Sequence, residues 1–318
     1  MFMTRSRNLP LTLSVLLLLG GALACSNKNP KAAPDPYRNR NAKDLLASGK
    51  VYLDNGKWVE GRKMLRSIEE RLPSSPEFPI AKLLIADSFF FAKNPSYPEA
   101  LVEYKSYLNY FPRSERRDYA LFRIGLCHYA SIEDAERDQA ETRLAMAAFQ
   151  DLLREAPGSV YAVDAKAKIT QCWRRLAESE LMVGVYYVNS SFYIPAENRL
   201  KSLLETYPDY VDRERAYFYL AEALRKRGLA LDQVQAFQKA FLAKVGKDDM
   251  ARLTGAQMDQ YRDQLDQLKT AEHEKNQLEA KSYYLKLVES YPGSPWAVRA
   301  SDRLVEMGQS GLKEELDS

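Results

Sequence analysis

The sequence predicts an all-α fold, an α-solenoid of about five helix-pair repeats with a helical insertion near the C-terminus. Only 14 of the 318 residues are Gly, and long stretches of Ala, Leu, Glu, Lys and Arg favour helix. Pro73, Pro112, Pro157, Pro208 and Pro292 are each followed by a polar or Gly-containing turn. Aligned on these prolines, the flanking residues fall into matching columns, the mark of an internal repeat.

Residues 1–24 read as a signal peptide. Arg5 and Arg7 precede a mostly apolar run from Leu9 to Leu19, and small residues stand just before Cys25, the order of a secretory signal. The apolar core is shorter than the roughly 20 residues that span a bilayer. Ala22-Leu23-Ala24-Cys25 resembles the lipobox of bacterial lipoproteins, with Ala22 where that family more often has Leu. The resemblance implies cleavage before Cys25 and acylation of that cysteine. Because Ser26 rather than Asp follows, it also implies the periplasmic face of the outer membrane. Several acyl chains hold a protein far more firmly than one. Residues 25–41 are polar, rich in Pro and Lys and without apolar periodicity, and read as a disordered lipidated tether.

Residues 42–228 hold the first four copies of the repeat. Twelve residues before each proline stand Gly61, Ala100, Ala145, Ala196 and Ala280, and eight before stand Leu65, Tyr104, Phe149, Leu200 and Tyr284. Five before are Ile68, Tyr107, Leu152, Leu203 and Leu287. Small, large, large at steps of four and three is one face of a helix. Eight residues after each proline come Ala81, Ala120, Ala165, Ala216 and Ala300, and twelve after come Ile85, Ile124, Ile169, Leu220 and Leu304. Each copy is therefore a helix, a Pro turn and a second helix, with the small column letting neighbours approach and the large column filling the groove beside it.

Gly49, Tyr52, Gly61, Leu65 and Pro73, and again Gly184, Tyr187, Ala196, Leu200 and Pro208, resemble the tetratricopeptide motif, with 24 residues from Gly to Pro in both. The fold so implied is a tetratricopeptide-like α-solenoid. Three copies depart by insertions, two residues between Ala86 and Pro112, eight between Gly125 and Pro157, and a long spacer between Ala221 and Pro292. The helix after Pro157 is expected to run on into the one carrying Gly184.

Residues 229–279 form the helical insertion. Met258, Tyr261, Leu265 and Leu268 are spaced at three, four and three, enough for a helical hairpin or a short coiled coil. Local packing and service as a partner helix both fit that stripe. Residues 280–318 are a final repeat and tail that cap the array.

A lipobox followed by such repeats resembles the BamD family of outer-membrane assembly lipoproteins. The likeness lies in Glu136-Arg137-Asp138-Gln139 followed by Ala147-Ala148-Phe149, in Tyr186-Tyr187 followed by Asn198-Arg199 and Tyr207-Pro208-Asp209, and in the Asn55-Gly56-Lys57-Trp58 turn. The resemblance covers roughly 42–227. It implies a subunit of the machine that folds β-barrel proteins, docked on the POTRA domains of the barrel subunit BamA, in contact with other assembly-machine lipoproteins and with unfolded β-barrel substrates. It further implies that Arg199, preceded by Asn198, pairs with a POTRA carboxylate; a solvated helix charge is the other reading of that arginine. A periplasmic adaptor that recruits cell-wall or Tol-type envelope proteins is the alternative function.

The inventory argues against catalysis. His128 and His273 are the only histidines, and no Gly-rich phosphate loop, HExxH or Ser/His/Asp set is present. No catalytic residue, cofactor or metal site is expected. Cys127 and Cys172 lie fifteen residues after a repeat proline, in a column shared with Ser88 and Ala223. They read as small core residues, with a disulfide between them left open. Losing residues 1–24 removes Arg5 and Arg7 and no acid, which takes the formal charge from +3 to +1. That is not the footprint of a nucleic-acid binder.

Overall fold

The computed structural model describes Tyr37 and residues 39–317, with side chains as far as Gly308. Cys25, the signal segment and most of the expected tether lie outside the described residues. Among the described residues there are twelve α-helices, one short 3-10 turn and no strand. Four helix pairs follow one another: α1 (Ala42–Asp54) with α2 (Trp58–Arg71), α3 (Phe78–Phe90) with α4 (Tyr97–Tyr110), α5 (Arg117–Ala130) with α6 (Ala140–Glu155), and α7 (Ala162–Asn189) with α8 (Tyr193–Thr206). The fifth pair is α9 (Arg213–Lys226) with the C-terminal half of α11 (Gly255–Ser290). Between them stand α10 (Leu231–Lys244) and the 3-10 turn Met250–Arg252, and α12 (Pro295–Asp317) packs on α11 and α9 at the end.

The proline columns are the core. Leu65, Tyr104, Phe149, Leu200 and Tyr284 have no exposed surface, and neither do Ala81, Ala120, Ala165, Ala216 and Ala300. The small column sets the helix spacing. A Cβ on Gly184 would sit 2.6 Å from a Leu200 methyl, and one on Gly61 would sit 2.5 Å from a Leu53 methyl. At the α1–α2 turn the reason for glycine differs: Gly56 has φ +71°, a conformation that a side chain disfavours. Asn41 caps α1 by accepting the Asp44 amide at 2.8 Å, and Thr254 caps α11 in a capping box with Gln257.

As expected, the helix after Pro157 is continuous with the one carrying Gly184, giving the 28-residue α7. The insertion is a helical hairpin. Phe237 of α10 meets Tyr261 of α11 tilted at a centroid distance of 5.4 Å, and Phe241 meets it edge to face at 5.2 Å. Tyr261 is buried, while Met258, Leu265 and Leu268 of the same stripe are half-buried. Helix α11 runs unbroken for 36 residues across the boundary expected at 279/280, so hairpin arm and final repeat share one rod.

Polar ties hold that rod. Arg227, just past α9, bonds Glu197 of α8 and, at 2.8 Å, Glu272 of α11. Lys201 of α8 bonds Glu197 at 2.9 Å and Glu279 of α11 at 2.7 Å. The side chains of Asn276 and Gln277 donate to the carbonyls of Arg227 and Arg225. Buried charges of this kind are stable only when paired, and here the pairing fixes where α11 lies on α8 and α9.

Cys127 and Cys172 are free, buried thiols, not a disulfide. Burial pushes them up, Cys127 to about 12 and Cys172 to about 11, which leaves little thiolate and little reactivity near neutral pH.

Candidate partner-binding site

Helix α8 places its charged residues by packing its apolar ones. Ala196, Leu200 and Leu203 are fully buried, which turns Asn198 to solvent and leaves Arg199 half-buried at the rim. The Arg199 Nη1 donates to Glu180 Oε2 of α7 at 2.7 Å, with the two side chains 41% and 30% exposed. An ion pair so open to water contributes at most about 1 kcal/mol. Its other nitrogens have no partner among the described residues. A guanidinium has five donors in a planar fork, so Arg199 can keep Glu180 on one nitrogen and offer the opposite edge to an incoming carboxylate.

Glu180 escaped sequence reasoning. It stands 19 residues before Arg199, on the preceding helix of the same repeat, and an ion pair leaves no periodicity to detect. The other motif residues divide between architecture and surface. Gln139 donates to the carbonyls of Asp134 and Arg137 and accepts from Thr142, so it shapes the α5–α6 loop. Tyr187 packs against the core while Tyr186 is exposed. Tyr207 meets Trp173 of α7 edge to face at 5.1 Å.

The first three repeats carry a second surface that the columns did not reveal. Arg62 lies over Phe89 at 4.2 Å, and Arg123 lies over Phe90, Phe91 and Tyr119 at 4.9, 4.5 and 4.9 Å. Beneath them Asp87 accepts from the hydroxyls of Tyr104 and Tyr119. Burial holds the Asp87 carboxyl above the ordinary carboxylate range, with both tyrosines pulling the other way. Cation–π attraction holds each guanidinium against these aromatic faces. The sequence signal was the Phe89-Phe90-Phe91 run.

No group of three or more His, Cys, Asp or Glu among the described residues could hold a metal ion. His128 pairs with Glu141 of α6 at 2.8 Å, a contact between the helices of one repeat. No described helix is long and apolar enough to cross a membrane.

The family model YfiO, outer membrane lipoprotein, matches residues 38–240. The chain is 28% identical over 218 residues to the outer membrane protein assembly factor BamD of Caulobacter vibrioides, an alignment that spans 69% of this chain and 70% of that protein. It is 28% identical over 228 residues to BamD of Vibrio cholerae, spanning 69% and 92%. Against BamD of Haemophilus influenzae the identity is 26% over 230 residues, spanning 69% and 84%.

Proposed function

The chain belongs to the YfiO family of outer membrane lipoproteins, and from that premise we propose that it is a non-catalytic scaffold of the β-barrel assembly machinery. On this reading it binds the POTRA domains of BamA, neighbouring assembly-machine lipoproteins and unfolded β-barrel substrates. The observation that carries the reading is the match over the repeat array to relatives named as outer membrane protein assembly factors. Residues 1–24 leave as signal peptide, 25–41 tether the chain from a lipid on Cys25, 42–228 are the binding array, 229–279 the insertion and 280–318 the cap. At the level of residues, support comes from Arg199 with Asn198 beside it: a rim guanidinium with a free edge.

The expected result is that Arg199→Glu weakens binding to isolated POTRA domains tenfold or more at low salt, through like-charge repulsion with the partner carboxylate. Its melting temperature stays close to wild type, because the lost pair with Glu180 is largely exposed. Reversing the partner carboxylate restores part of the binding. Wild-type affinity in the Arg199→Glu protein would refute the site.

Anchoring is tested at the lipobox. Cys25→Ser releases the chain from membranes in a carbonate wash, since no described helix holds it there. Continued sedimentation with outer membrane stripped of its partners would refute lipid as the anchor. Co-purification of a large barrel protein from detergent-solubilised membranes separates this function from an adaptor that recruits cell-wall or Tol-type proteins.

A further inference from the structure

Beside the Arg199–Glu180 pair the surface opens into a cleft of about 460 Å³, lined by Trp173, Arg174 and Ala177 of α7 and by Tyr207, Pro208 and Tyr210 of the turn after α8. Trp173 is 38% exposed, so part of its indole faces the cleft it lines. Seven residues, two helical turns, separate Trp173 from Glu180, which puts both on one face of α7 about 10 Å apart. Trp173 reaches across to Tyr207, and Glu180 reaches across to Arg199. Cleft and ion pair therefore lie along the same α7–α8 seam, about 10 Å apart.

The charges along this seam select its occupant. Glu178 is bonded to Arg175 at 3.3 Å and Glu180 to Arg199 at 2.7 Å. Arg174 has no acidic partner among the described residues, and Arg199 keeps one edge free. Unused capacity is thus guanidinium donor capacity, and Asp209 is the single acid among the residues that line the cleft. Trp, Tyr and Arg are also the residue types that dominate binding energy when they line a pocket.

We propose that the seam serves as one groove that docks an extended polypeptide segment of the partner that meets Arg199, with an apolar side chain seated between Trp173, Tyr207 and Tyr210 and a carboxylate on Arg199. An extended chain rises about 3.3 Å per residue, so the two side chains stand about two to four residues apart. A further carboxylate or a backbone carbonyl of the segment meets Arg174. Glu180 is a positioning residue that holds the Arg199 guanidinium toward the segment. The proposal rests on the reading of Arg199 as a partner-binding residue.

The test titrates the full chain in detergent with purified POTRA domains, comparing Trp173→Ala, Arg174→Glu and Arg199→Glu. Each is expected to weaken binding at least tenfold. Arg174→Glu guards against a folding artefact, because Arg174 is exposed and unpaired. Val163→Ala, exposed on the same helix outside the cleft, is expected to bind as wild type. Loss in Arg199→Glu with wild-type binding by Trp173→Ala and Arg174→Glu overturns the groove and leaves the Arg199 site standing. Loss in the cleft variants with wild-type binding by Arg199→Glu overturns the shared groove and the Arg199 site alike. If the cleft variants lose only binding of urea-unfolded β-barrel protein, the occupant is substrate and the proposal fails.

Discussion

Gly125→Val will unfold the third repeat more readily than any exposed substitution in the array. A Cβ at Gly125 of α5 would lie 2.5, 2.6 and 2.9 Å from three ring atoms of Phe149 of α6. Phe149 cannot yield, because it is fully buried among Phe122, Leu152, Ala165 and Cys172. Alanine alone would overpack the seam by about 1–3 kcal/mol, partly offset by up to about 1 kcal/mol of helix propensity. Valine adds two methyls and loses that offset, for roughly 3 kcal/mol or more. The expected readout is a lowered urea midpoint with faster amide exchange concentrated in α5 and α6, since repeats open as neighbouring units. Gly158→Ala is the internal control: nothing lies within 4 Å of its Cβ, and it should be neutral or slightly stabilising. Equal losses at both glycines would refute close packing as the reason for Gly125.

Gly125 also shows why so much of the fold was legible. A single small residue in a helix carries little information, but Gly61, Ala100, Ala145, Ala196 and Ala280 recur at one distance from five prolines, and all five are buried. Repetition multiplies a weak signal because every repeat solves the same packing problem against its neighbour. The columns fade where that problem changes. Ile169, in the long α7, and Leu304, in the terminal α12, are only half-buried, whereas Ile85 and Leu220 are fully buried.

What escaped the sequence is electrostatic and long-range. The partners Glu180 and Arg199, Lys82 and Glu103, and Arg227 and Glu272 are 19, 21 and 45 residues apart, and their spacings share no period. The continuity of α11 was hidden for a related reason. Its solvent-facing turns carry mixed charge from Asp259 to Lys275, which suits an exposed helix but does not show that the helix continues past 279 into the final repeat. Arg199 became a candidate only through its resemblance to a family motif, and Cys25 through its place after an apolar run. Neither is singled out by packing, since partner-binding residues need not belong to the core that the columns describe.

The strongest such tie is Glu222 of α9, and its removal should be pH-dependent. Glu222 is 4% exposed and joins three helices. It accepts from the Tyr284 hydroxyl of α11 at 2.5 Å, from Arg303 Nε of α12 at 2.9 Å, and from its own neighbours Lys226 at 3.0 Å and Arg225 at 3.1 Å. Burial alone would raise the carboxyl, but the hydrogen bonds from Tyr284, Arg225 and Lys226 outweigh it and bring the pKa from 4.5 to about 2. A pKa lowered by folding adds stability that is complete above the unfolded value of 4.5 and disappears as the pH falls through 2. Lys226 and Arg303 are partly exposed, so water screens the contribution to about 2 kcal/mol. Glu222→Gln, which keeps the shape and one acceptor, should therefore lower stability by about that amount at pH 7. The gap to wild type should shrink between pH 4.5 and 2 and close below it, read from urea midpoints of both proteins across that range. Glu222→Leu leaves the buried Tyr284 hydroxyl without an acceptor and should cost about 3–5 kcal/mol at neutral pH. A Glu222→Gln gap that stays constant from pH 7 to pH 2 would mean that shape, not charge, is what this residue contributes at the junction of α9, α11 and α12.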